Sequence, residues 1–249
     1  GVFGDDGANK DDEWYALYAD ATNGVTMAGY TTNSSSNNDA WVKNWNNAGT
    51  SSAFSKTYDA GNSRDEVYTD IAGLGTSSGN NIVYAGGYKS ISSTNDDYIL
   101  YAYKVRDGSN ASGWTTDPVT YDGGQSLIDD GYGVEYGSDN KVVIDGRSHQ
   151  TTTTYAITAL RYDGGTGYVS GTYEWRGTKD YGSNTLQTGE PTGIMKNGLA
   201  AIFDGCHNVE TVYEASDFYN SANSTYDLCT QKYYATGSCS RMINTNQTH

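Results

Sequence analysis

Val83-Tyr84-Ala85-Gly86-Gly87 is a short apolar run that stops at glycine, and it has three counterparts in the chain. They are Val25-Thr26-Met27-Ala28-Gly29, Val142-Val143-Ile144-Asp145-Gly146 and Ala201-Ile202-Phe203-Asp204-Gly205. Their terminal glycines are 58, 59 and 59 residues apart. Runs this short, rich in β-branched and aromatic residues and closed by a turn former, read as strands. A fixed period of this length reads as a repeat.

Working outward, each run is followed by an alternating aromatic segment: Trp41 to Trp45, Tyr98 to Tyr103, Tyr155 to Leu160 and Val212 to Phe218. Their lead aromatics Trp41, Tyr98, Tyr155 and Tyr213 step by 57, 57 and 58. A further run closes each unit: Lys56 to Asp59, Val119 to Asp122, Gly171 to Glu174 and Gln231 to Tyr234. An acidic start opens each one: Asp12-Glu13, Asp65-Glu66, Asp129-Asp130 and the weaker Glu190-Pro191. No segment has a 3.6-residue period. The expectation is therefore an all-β protein of four repeats, over about 12–63, 65–126, 129–183 and 188–239, each a four-stranded antiparallel sheet. A lone four-stranded sheet cannot hide an aromatic face, so like must pack on like. That points to a single β-propeller-like, four-bladed domain, with an open stack of sheets as the alternative. Alternation along a strand would send Tyr98, Leu100 and Ala102 into the gap between neighbouring sheets.

The order of acidic pair, two apolar strands, Asp plus aromatic strand and Thr-Tyr-Asp-Gly-Gly is carried best by Val83 to Gly87, Asp97 to Tyr103 and Thr120 to Gly124. In this it resembles the SBBP-type β-propeller repeats of secreted surface proteins, including those of mastigonemes. The resemblance implies a propeller fold and a structural or adhesive role without catalysis.

Composition narrows the function. The chain has 249 residues, 23 of them Tyr, with 31 Gly and only 2 Pro, and a net charge of −15. Tyrosine buries its ring and keeps its hydroxyl wet, which offsets a modest apolar content. Fifteen scattered Lys and Arg make nucleic acid a poor partner. No apolar stretch is long enough to insert in a membrane as a helix. The chain opens on Gly1 and reads as a mature sequence whose signal peptide, if any, has gone.

Sequons at Asn33, Asn110, Asn223 and Asn246 fall in segments read as loops or tail and suggest a secreted, extracellular or cell-surface glycoprotein. Three cysteines, Cys206, Cys229 and Cys239, suit that setting. A Cys206–Cys239 disulfide is favoured, with Cys229 free or intermolecular. Pairings of Cys229 with either of the others stay open. Gly1, Val2, Phe3 and Gly4 begin a surplus copy of the last strand of the unit (residues 1–7). It can complete a sheet, lie along an edge of its own chain, or add to another copy's edge and build a filament. Residues 240–249 form a tail.

Asp12, Glu13, Asp65, Glu66, Asp129, Asp130 and Glu190 open the innermost strands and would ring one mouth of a propeller axis. Carboxylate oxygens in that arrangement suit a hard cation such as calcium. No catalytic residue stands out, since no His sits in a triad pattern. Trp14, Trp41, Trp45, Trp114 and Trp175 are candidate sugar-stacking residues, Trp114 the one expected in an exposed loop. The expected function is a non-catalytic extracellular structural protein, a subunit of a surface filament, appendage or layer, with copies of itself as partners. The alternative is a carbohydrate-binding, lectin-like module that takes glycans; a glycoside hydrolase is the third reading.

Overall fold

The computed structural model describes residues 11–61, 63–74, 81–111, 114, 118–124, 126–136, 141–151, 154–163, 175–180, 200–201, 210–220, 225–234 and 243–245. All regular structure among them is β. The first sheet is β1 (Asp12–Asp20), β2 (Gly24–Thr32), β3 (Asn38–Trp45) and β4 (Ser52–Tyr58). The second is β5 (Glu66–Leu74), β6 (Ile82–Ser92), β7 (Asn95–Lys104) and β8 (Val119–Tyr121). The third is β9 (Asp129–Tyr136), β10 (Lys141–Thr151), β11 (Thr154–Asp163) and β12 (Trp175–Asp180). A last set holds β13 (Ala200–Ala201), β14 (Glu210–Asn220), β15 (Thr225–Tyr234) and β16 (Ile243–Thr245). Each is an antiparallel meander with strands side by side in chain order.

Local chemistry makes the hairpins. Asp20 Oδ1 accepts the amides of Thr22 and Asn23 at 2.7 and 2.8 Å, and Gly24 follows with φ +92°. Asn46 Oδ1 accepts the Thr50 amide at 3.0 Å around Gly49, where φ is +65°. Short side chains that hold their own backbone, followed by a glycine in left-handed conformation, are what a tight reversal needs.

The glycine that ends each apolar run has a specific task. The first strand of each of the first three sheets carries one extra residue at the same place: Tyr15, Thr69 or Tyr132, where the register shifts. Gly29, Gly87 and Gly146 lie opposite, and a Cβ on any of them would sit 1.9 Å from a first-strand carbonyl oxygen, that of Glu13, Val67 or Asp130. The bulge brings backbone against backbone, and only glycine leaves room.

Packing runs from sheet to sheet. β5 lies against β1, β2 and β3, and β9 lies against β5, β6 and β7. The second sheet is therefore buried on both faces, and β7 divides between two cores. Ile99, Tyr101 and Tyr103 join Ala28, Val42, Phe54 and Ile71 in the core shared with the first sheet. Tyr98, Leu100 and Ala102 join Val134, Ile144 and Leu160 in the core shared with the third. Polar bonds cross the same junctions: Asn81 Nδ2 donates to Asp20 Oδ2, and the Val134 amide donates to Asp70 Oδ2 at 3.0 Å.

Several expectations are corrected here. All-β character holds, but the chain does not form a four-bladed propeller. The well-packed body is three irregular sheets, none closed or curled. Packing proceeds from the first to the second to the third, and among the described residues no strand of the last set packs extensively on another sheet. The last set is also not a fourth copy. Its outer strands have two and three residues, and the run Gln231 to Tyr234, expected as an outer strand, lies in β15, which is internal. In the third sheet the outer strand falls at Trp175–Asp180, after the Gly171 to Glu174 run. The resemblance to SBBP-type propeller repeats fails with the propeller. No disulfide is found among the described residues. Cys229 lies in β15 opposite Ser216, whereas Cys206 and Cys239 lie outside the described residues. The surplus segment from Gly1 to Gly4 lies outside them too.

Candidate functional site: acidic clusters at the sheet junctions

Register decides which acids meet. Asp12 pairs with Thr31, Glu66 with Lys89 and Asp129 with Ser148, so these three are equivalent. Glu13, Val67 and Asp130 occupy the next position, and Asp65 precedes its strand. The acidic pairs are thus one residue out of step, and alternation sends their members to opposite faces. They divide among separate clusters instead of facing one axis. Glu190 lies outside the described residues.

The first cluster sits between the first two sheets. Asp39 comes from the start of β3, Asp59 from the turn after β4 and Glu66 from the start of β5. One carboxylate oxygen of each lies within 4.8 Å of the others. Asn33 Nδ2 and Asn37 Nδ2 donate to Asp39 Oδ1 at 2.7 and 3.3 Å, and the Gly61 amide donates to Asp59 Oδ1 at 2.6 Å. Glu66 is 0% exposed, and neither of its oxygens accepts a hydrogen bond. Burial is the main force raising its pKa to about 7. The Ala60 backbone opposes the rise, and Asp59, Asp39 and Asp65 add to it.

The same three positions recur between the second and third sheets, as Asp97, Asp122 and Asp129. Cross-strand register makes Asp97 the equivalent of Asp39. Here the chain supplies more of its own compensation. Lys89 Nζ is 3.9 Å from Asp97, and the Gly123 amide donates to Asp129 Oδ2 at 2.6 Å. Burial still raises Asp129 to about 6, opposed by Ser148 and Gly123 and reinforced by Asp122 and Asp97.

A third group faces the other way. Arg147 donates from Nε at 2.8 Å and Nη2 at 2.6 Å to one oxygen of Asp130, and the Tyr132 hydroxyl donates to the same oxygen at 3.2 Å. Asp96 is pushed up to about 6, first by burial and then, against a Ser90 hydrogen bond, by Asp130. Nearby His149 is lowered to about 4 by burial and by Arg147. This is a guanidinium-neutralised carboxylate pair, whereas among the described residues no cationic side chain figures in what sets the pKa of Asp39 or Glu66.

A buried acid with a raised pKa holds a proton in the fold that the unfolded chain releases, so stability falls as pH rises between the two values. In EDTA, replacing Asp129 with Asn should flatten the loss of stability between about pH 4 and pH 6 by about 2 kcal/mol. Urea midpoints across that window are the measurement, and an unchanged pH slope would contradict the assignment.

Other expected site residues are placed as follows. Asn33 Nδ2, the atom a glycan would occupy, donates to Asp39. Asn110 Oδ1 accepts the Tyr101 hydroxyl at 2.8 Å. Asn223 and Asn246 lie outside the described residues. Trp41 is buried, with the Trp14 ring 4.3 Å from it and tilted by 30°. Trp114, expected in the open, is also buried, edge-on to Tyr84 at 5.7 Å. Trp45 lies at the surface of the first sheet under the Lys43 ammonium, 4.8 Å from its ring. Sequence reading missed Asp39, Asp59, Asp97 and Asp122 as site members. The signal was there in the Tyr-Asp-x-Gly at Tyr58 to Gly61 and Tyr121 to Gly124, although the same pattern recurs at Tyr162 to Gly165. No family model and no curated protein sequence matches this chain.

Proposed function

We propose that this is a non-catalytic extracellular structural protein that assembles with copies of itself by stacking sheet on sheet. One observation carries the reading. Leu17 is 63% exposed, while the residues at the same register position in the next two sheets, Ile71 and Val134, are 6% and 2% exposed. Its neighbours on that face are half-buried where their counterparts are buried. Val25, Met27 and Trp45 of the first sheet correspond to Val83, Ala85 and Tyr103 of the second, and those three are buried. The first sheet thus offers outward the surface that its successors bury against a preceding sheet. A head-to-tail contact of this kind continues from molecule to molecule unless it closes into a ring. Sequons and an acidic surface support an extracellular setting.

Leu17→Lys should abolish concentration-dependent self-association while leaving the melting temperature within about 2 °C of wild type. Sedimentation velocity and negative-stain microscopy provide the readout. Discrete monomers of the wild-type protein at every concentration would refute the assembly reading. A carbohydrate-binding role draws on the same face, where Val25, Met27 and Trp45 line a pocket that also includes Asp20 and Asn47. Glycan binding by a protein that stays monomeric would favour it.

A further inference from the structure

We propose that Asp39, Asp59 and Glu66 bind one hard divalent cation of the calcium class, which staples the second sheet to the first. The donor set is all oxygen, which suits calcium and not zinc. Oxygens within 4.8 Å of one another can each lie at about 2.3–2.6 Å from a shared ion, because two ligands on opposite sides of calcium are about 5 Å apart. The ligands come from both sides of a packing junction, Asp39 and Asp59 from the first sheet and its following turn, Glu66 from the second.

A cluster of acids on a surface would mean little, but this one is not self-sufficient. Glu66 is wholly buried, points into the cluster and has two oxygens without partners. Asn37 Oδ1 is a further buried oxygen with no partner, on a side chain whose amide nitrogen already touches Asp39. Buried polar atoms are ordinarily satisfied, and a cation satisfies several acceptors at once. Asp65 is engaged elsewhere, accepting the Asn38 amide at 2.8 Å. Asp59 is exposed and opens a path for the ion.

The second junction serves as an internal comparison. Asp97, Asp122 and Asp129 repeat the three positions, but Lys89 stands beside Asp97 and the Gly123 amide holds Asp129, which keeps one unpartnered oxygen where Glu66 keeps two. Among the described residues only Asp39, Asp59 and Glu66 bring three ligand oxygens within 4.8 Å of one another. The stoichiometry is therefore one ion per chain.

Titration calorimetry of calcium chloride into EDTA-stripped protein, with a melting curve in parallel, tests the proposal. Wild type should bind one ion and melt at a higher temperature with calcium. Glu66→Gln and Asp59→Asn should each weaken binding by at least about tenfold and abolish the calcium-dependent melting shift. Asp59 is at the surface, so its variant keeps the test decisive if Glu66→Gln fails to fold. Asp129→Asn should bind as wild type does. No saturable binding by wild type at about 10 mM calcium, well above the range of weak extracellular sites, would overturn the proposal. So would wild-type affinity in both cluster variants, or two ions of which Asp129→Asn removes one.

Discussion

Gly87→Ala should destabilise the protein by about 3 kcal/mol or more, an effect out of proportion to one methyl group. The added Cβ would stand 1.9 Å from the Val67 carbonyl oxygen and 2.9 Å from the Tyr68 Cα, and all of those atoms are backbone. No rotamer change relieves that clash. The first strand would have to move away from the second, breaking the ladder beside the Thr69 bulge and lifting Val67 and Tyr68 out of the core. Overpacking costs about 1–3 kcal/mol where side chains can adjust, and more where they cannot. Gly61→Ala is the control. Gly61 has φ +74° but nothing within 4 Å of the added atom, so it should lose only about 1 kcal/mol, from backbone conformation alone. Urea denaturation of both variants separates the two causes. A Gly87→Ala protein within 1 kcal/mol of Gly61→Ala would show that the close approach at the bulge is not a constraint.

Tyr84→Ala should cost about 3–5 kcal/mol, the range for removing a large ring from a packed core. Tyr84 is 0% exposed, stacks on Tyr136 at 5.4 Å and meets Trp114 edge-on. Its ring fills the space between the second and third sheets, where truncation leaves a cavity that strands held by their ladders cannot close. The loss should be local as well as global, with faster amide exchange in β9 and β10 than in β1 and β2. Tyr15→Ala, at a half-exposed bulge position, should change stability by less than about 1 kcal/mol. Equal effects from the two tyrosines would mean that the junction between the second and third sheets contributes little.

Much of the fold was legible because strands write their pattern locally. In the first three sheets the glycine-ended runs are second strands and the aromatic runs third strands, and the alternation that assigns Tyr98, Leu100 and Ala102 to one face holds in β7. Long-range facts were not legible. Trp114 looked exposed because its neighbours in sequence are polar, yet the chain folds it onto Tyr84, thirty residues away. The acidic pairs looked aligned because spacing alone was counted. One residue of slip between Glu66 and Asp65 changes which face each carboxylate takes, and only pairing with β6 and β10 reveals it. The fourth unit looked like the others because three of its landmarks keep the period, but its pairing runs one strand out of step with theirs.

By itself the sequence determined that this chain is built of short antiparallel strands, where they turn, and which side chains alternate across them. These properties follow from backbone sterics and the two-residue period, which need no knowledge of distant neighbours. Tertiary structure alone decided that, among the described residues, the sheets pack as an open series, and that Asp39, Asp59 and Glu66 meet at a junction. Which sheet face meets which is set by the summed packing of residues far apart in the chain, and no local pattern encodes that sum.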